Sequence, residues 1–92
     1  MEETEEEFDK LISKICNCVI RFNSKEKRAC CCFDIASYVD LVTVTLFQDK
    51  DAEKEIFETS FYYRGRLSNL GSAKASYEEL KKEMREVKRY YS

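Results

Sequence analysis

The chain has 92 residues, enough for one domain with a modest core, and its two Gly and absent Pro suit a few long elements over many loops. A net charge of −2 sets it apart from a typical basic RNA-binding domain, and the absence of His removes the usual general base and the commonest metal ligand. No apolar run approaches the roughly 20 residues that span a bilayer, so no membrane partner is expected.

Charge is segregated along the chain. Residues 1–9 hold six acids and no base, whereas residues 59–92 hold eight bases and four acids. Such an acidic start is the opposite of a secretory leader, and disorder is expected only over residues 1–3. Five Cys, three of them consecutive at Cys30, Cys31 and Cys32, make an odd count that reads as reduced thiols in a cytoplasmic protein.

In chain order, Thr4 with Glu7 forms a capping box. Phe8, Leu11, Ile12, Ile15, Cys16, Val19 and Phe22 follow at one-face helical spacing. This predicts a first helix over 4–22, stopping at Asn23-Ser24. From Arg28 the period becomes two, with Cys31, Phe33 and Ile35 on one face and Cys30, Cys32, Asp34 and Ala36 on the other. After a turn near 37–40, the β-branched run 41–47 predicts a strand with Val42, Val44 and Leu46 inward. Residues 53–63 fit a strand through alternation of Phe57, Thr59, Phe61 and Tyr63, although Ala52, Ile56, Phe57 and Phe61 also share a helical face. A loop over 64–71 precedes a second helix carrying Ala73, Tyr77, Leu80, Met84, Val87 and Tyr91, starting at Ser76 with its partner Glu79 or earlier, at Ser72. The expected architecture is α+β, in the order α-β-β-β-α, with a three-stranded antiparallel sheet and both helices on one face.

Nothing in the pattern assembles catalytic chemistry. There is no nucleophile elbow, phosphate-cradling loop or dinucleotide fingerprint. Cys16 and Cys18 point about 200° apart on a helix, and Cys30-x-Cys32 lacks a second pair at zinc-like spacing. No enzymatic activity, metal or cofactor is expected.

Two surfaces stand out for binding. The open sheet face should present Cys30, Cys32, Thr43, Thr45, Phe47, Ile56 and Tyr62, a mixed apolar and hydroxyl surface suited to a protein partner. The last helix aligns Lys81, Arg85 and Lys88, with Arg64, Arg66 and Lys74 ahead of them, as a phosphate-binding surface would. The element order resembles that of the double-stranded-RNA-binding domain. That resemblance implies phosphate contacts from the start of the last helix and a preceding loop, where Gly71-Ser72-Ala73-Lys74 offers one base in place of that family's lysine cluster.

The leading expectation is a small protein-binding module of adaptor or inhibitor type. Phages and mobile elements commonly carry small α+β inhibitors with acidic ends, including some against nucleic-acid enzymes. Duplex RNA or DNA binding through the last helix is the alternative, and a homodimer or other structural oligomer is the third.

Overall fold

The computed structural model describes residues 2–91, with side chains over residues 5–87. Two helices and three strands follow in the order α1 (Glu2–Lys25), β1 (Cys30–Ala36), β2 (Leu41–Phe47), β3 (Glu55–Tyr62) and α2 (Leu70–Tyr91). The α+β class and the α-β-β-β-α order are those expected from the sequence.

The apolar stripe of α1 is buried at Phe8, Leu11, Ile15, Val19 and Phe22. The helix is longer than its capping signals suggest. It begins at Glu2, ahead of Thr4, whose side chain lies outside the described residues. It also runs through the expected stop at Asn23-Ser24. There Ser24 donates its hydroxyl back to the Ile20 carbonyl at 2.8 Å, and the Glu26 amide still reaches the Phe22 carbonyl at 2.8 Å.

The sheet is an antiparallel meander in the order β1-β2-β3. Phe33 faces Val44 and Val44 faces Thr59, so alternate residues of all three strands point to one side. Val42, Val44 and Leu46 are buried there with Cys31 and Phe61. Within the 53–63 segment Glu55–Tyr62 is a strand, because alternation places Phe57, Thr59 and Phe61 inward against β2. One irregularity marks it: Leu46 pairs with Phe57 but Phe47 with Glu55, which leaves Ile56 as the extra residue of a bulge.

The turn after β1 closes with a Val39 amide to Ala36 carbonyl bond of 3.1 Å and with Asp40 at φ 56°. The turn after β2 is organised by Asp49, whose carboxylate accepts the Lys54 amide at 2.9 Å and the Glu53 amide at 3.2 Å. Those backbone donors hold the Asp49 carboxyl below the usual carboxylate range.

The start of α2 corrects the sequence reading. Asn69 is its cap: the side-chain oxygen accepts the Ser72 amide at 3.0 Å, and the main-chain oxygen accepts the Ala73 amide at 3.0 Å. Gly71 therefore belongs to the first helical turn, and Ser76 lies one turn inside the helix. Ala73, Leu80, Met84 and Val87 are buried.

α1 packs over β1, α2 packs over β3, and the helices meet above β2. Leu11 and Lys14 lie across from Lys74 and Tyr77, whereas Cys18, Phe22 and Lys25 lie across from Met84 and Arg85. The helices thus run in the same direction, as three antiparallel strands between them require. Among the described residues, the fifteen buried apolar ones form a single cluster between this helical layer and the inner sheet face.

Candidate functional site

The outer sheet face carries the residues expected on it, arranged by register. Cys30, Phe47 and the bulged Ile56 occupy one end, and Ala36, Leu41 and Tyr62 the other. Between them run Cys32–Thr45–Glu58 and Asp34–Thr43–Ser60. Thr43, Thr45 and Phe47 are half-buried, whereas Ile56 and Tyr62 are exposed. The two carboxylates at the centre of this face separate Phe47 and Ile56 from Tyr62. No strand carries a base, and the three acids of the sheet are Asp34, Glu55 and Glu58. The outer face is acidic in the middle, where an apolar contact surface would need to be neutral.

Apolar exposure concentrates instead at the Tyr62 end. Of the seven exposed large hydrophobic residues among those described, Ile35, Tyr38, Val39, Tyr62 and Leu67 belong to the end of β1, the β1–β2 turn, the end of β3 and the loop before α2, with Ile35 on the inner side of the sheet. Tyr38 is 88% exposed and Leu67 is 69% exposed. The Tyr63 amide donates to the Asp40 carbonyl at 3.0 Å and ties the turn to the loop.

A second turn then shapes that loop. Gly65, at φ +81°, supplies the carbonyl that accepts both the Ser68 amide (3.2 Å) and the Ser68 hydroxyl (2.8 Å). The result is a shallow concavity lined by Val39, Tyr62, Arg64, Arg66 and Leu67. The Arg64 guanidinium lies 5.5 Å from the centre of the Tyr63 ring, which holds it at the rim. Tyr and Arg are the residue types enriched at the centres of protein interfaces, and exposed Val39 and Leu67 add apolar area beside them.

The six bases picked out by the sequence fall into two groups. Arg64 and Arg66 belong to the sheet end. Lys74, Lys81 and Arg85 line the seam between the helices, where Lys14, Arg21 and Lys25 of α1 join them. The side chain of Lys88 lies outside the described residues. The three α1 bases were legible beforehand: from Lys10 to Lys25 the helix has four bases and no acid, spaced 4, 7 and 4. That spacing is a single stripe beside the apolar one.

Thiol chemistry is quiet in this arrangement. Burial, with Cys32 close by, pushes the Cys31 thiol up to about 12 from its ordinary 9.0. Burial also raises Cys30, whose thiol donates to the Asp49 carbonyl at 3.3 Å. Neither is a thiolate nucleophile near neutral pH. The Cys18 thiol packs 3.5 Å from the Met84 sulfur. Among the described residues no three His, Cys, Asp or Glu side chains gather to hold a metal, and no helix is long and apolar enough to cross a membrane.

No protein-family model, curated protein or solved structure matches the chain.

Proposed function

We propose that this protein is a cytoplasmic protein-binding module of adaptor or inhibitor type, and that its docking surface is the sheet end built from Tyr38, Val39, Tyr62, Leu67, Arg64 and Arg66. One observation carries this reading: among the described residues, exposed Val39, Tyr62 and Leu67 line one concavity there, beside the 88% exposed Tyr38, where the Tyr63–Asp40 backbone hydrogen bond ties the β1–β2 turn to the loop before α2. An uncovered apolar cluster is unfavourable in water unless a partner covers it. Pre-ordered turns reduce the entropy that a partner must offset on binding. The two arginines suit a partner with an apolar projection ringed by carboxylates.

This reading moves the contact surface from the middle of the outer sheet face, around Thr43, Thr45, Phe47 and Ile56, to one end of it. Tyr62 is common to both.

Capture from the native host with tagged wild-type protein, followed by calorimetry with the purified captured partner, tests it. Tyr38→Asp and Leu67→Asp should each weaken binding at least tenfold. Ile20→Asp, which changes an exposed apolar residue on α1, should leave it unchanged. Equal affinity across all four proteins would remove the sheet end from consideration. A dimer mass by light scattering that collapses to a monomer in Leu67→Asp would make the partner a second copy of the chain.

A further inference from the structure

On the opposite side of the molecule, the groove between α1 and α2 has an apolar floor and a basic rim. Cys18, Phe22 and Met84 form the floor of one end, a cavity of about 270 Å³, and Arg21, Lys25, Lys81 and Arg85 stand around it. The groove continues past Lys81 into a second stretch lined by Leu11, Lys14, Lys74, Tyr77 and Glu78. Six bases from two helices therefore face one continuous seam. Among the described residues Glu78 is the single acid lining it, held 3.1 Å from Lys81 in an ion pair. Lys81 also lies 4.6 Å from the centre of the Tyr77 ring.

We infer that this groove is a binding site for the phosphodiester backbone of a single nucleic-acid strand.

Helix geometry sets the length of the site. On α1 the bases run from Lys14 to Lys25 and on α2 from Lys74 to Arg85, so at 1.5 Å per residue each row is roughly 16 Å long. Since α1 and α2 run in the same direction, the two rows lie side by side. They form an elongated track, the shape of a strand's backbone, whereas a small anion would need one compact cluster. A recessed groove admits one strand more readily than the convex surface of a duplex. Basic grooves that follow a single strand commonly add aromatic faces for base stacking, and half-exposed Tyr77 stands beside this one.

The chain's net negative charge does not oppose this, because Glu78 is the one acid among the described residues that lines the groove, and Glu79, Glu83 and Glu86 of the same helix do not line it. The six acids of residues 1–9 precede the stripe, and the acids of the sheet sit on the far layer. Arg64 and Arg66 line a separate concavity that shares no residue with the groove, so this site is independent of the protein-docking surface.

Fluorescence anisotropy with a labelled 15-nucleotide oligothymidine, titrated with the intact protein, tests the proposal. Binding should be present at 50 mM salt and weaken about 50-fold by 200 mM, the loss expected for about four neutralised phosphates on a single strand. Arg21→Glu and Arg85→Glu, both at exposed positions, should each weaken binding at least tenfold, with unchanged circular dichroism. Arg64→Glu with Arg66→Glu should leave it intact. The proposal is overturned by absence of binding at 50 mM salt, by equal loss in the Arg64/Arg66 variant, or by displacement of the oligonucleotide with polyglutamate at equal charge. The last result would assign the groove to an acidic protein segment.

Discussion

Asn23 supplies both hydrogen bonds that a neighbouring strand would otherwise give to Cys31: its amide nitrogen donates to the Cys31 carbonyl at 2.8 Å, and its oxygen accepts the Cys31 amide at 2.7 Å. Because the N–H and C=O of a strand residue point the same way, these groups belong to the outer edge of β1. One side chain at the end of α1 therefore closes part of an edge that would otherwise be open to another strand. Replacing Asn23 by Ala should lower stability by about 1–2 kcal/mol. Asn23→Asp should fare no better, since a second oxygen would face the Cys31 carbonyl. Urea denaturation checks both, and an Asp variant as stable as wild type would contradict this assignment of the amide.

Capping chemistry gives a second prediction. Asn69→Ala should destabilise the fold by about 1 kcal/mol, whereas Asn69→Asp should stay close to wild type. Ser76→Ala, inside the helix, should change stability by less than about 0.5 kcal/mol. Thermal unfolding of the three variants separates a helix that starts at Leu70 from one that starts after Ser76.

Cys31 links stability to alkaline pH. Its thiol ionises near the ordinary 9.0 in the unfolded chain but near 12 in the folded one, so the unfolded state loses its proton first as pH rises. The stabilisation is fully present below about pH 9 and is lost progressively toward pH 12, by at most about 1.4 kcal/mol per pH unit. The readout is the difference between wild type and Cys31→Ala, which isolates the thiol from every other group. The Cys31→Ala variant should show the shallower decline between pH 9 and 11. Parallel slopes would mean that the thiol is accessible to water in the folded protein.

Glu26 sits at the opposite extreme from the exposed acids. It is 5% exposed, and its Oε1 has no hydrogen-bond partner. A buried carboxylate oxygen without a donor costs stability, so Glu26→Met should raise the urea midpoint, by about 1 kcal/mol in free energy. A destabilised Met variant would show that the carboxylate is satisfied in solution.

These residues also show what the sequence made legible. β2 is readable end to end because alternating β-branched residues have one consistent period and no competing one. The segment from Glu53 to Tyr63 was ambiguous, since Ile56, Phe57 and Phe61 fit two periods. Its pairing with β2 decides for strand, and the bulge at Ile56 explains why the alternation is imperfect. The α2 start was misplaced because Gly71 reads as loop, while the Asn69 cap two residues earlier leaves a weak local signal. The α1 stop was misplaced for a related reason: Asn23 looks like a terminator, but its side chain is committed to Cys31, a contact that no local pattern encodes.

The binding surfaces divide in the same manner. The stripe of Lys14, Arg21 and Lys25 was present as helical spacing beside the apolar residues. Its facing row on α2 becomes a groove only once the two helices are known to run side by side. The sheet end is less legible still, because Tyr38, Val39 and Leu67 lie in turns, where periodicity assigns no face. Their convergence depends on the backbone bond between Tyr63 and Asp40.

Hydrogen exchange with and without the captured protein partner is the most direct test of the central claim, that the sheet end is the docking surface. The account predicts slowed exchange confined to residues 35–41 and 62–68, with the helices and the middle of the sheet unchanged. Protection centred on the α1–α2 seam or on the strand residues around Thr43 and Thr45, with none at the two turns, would contradict it.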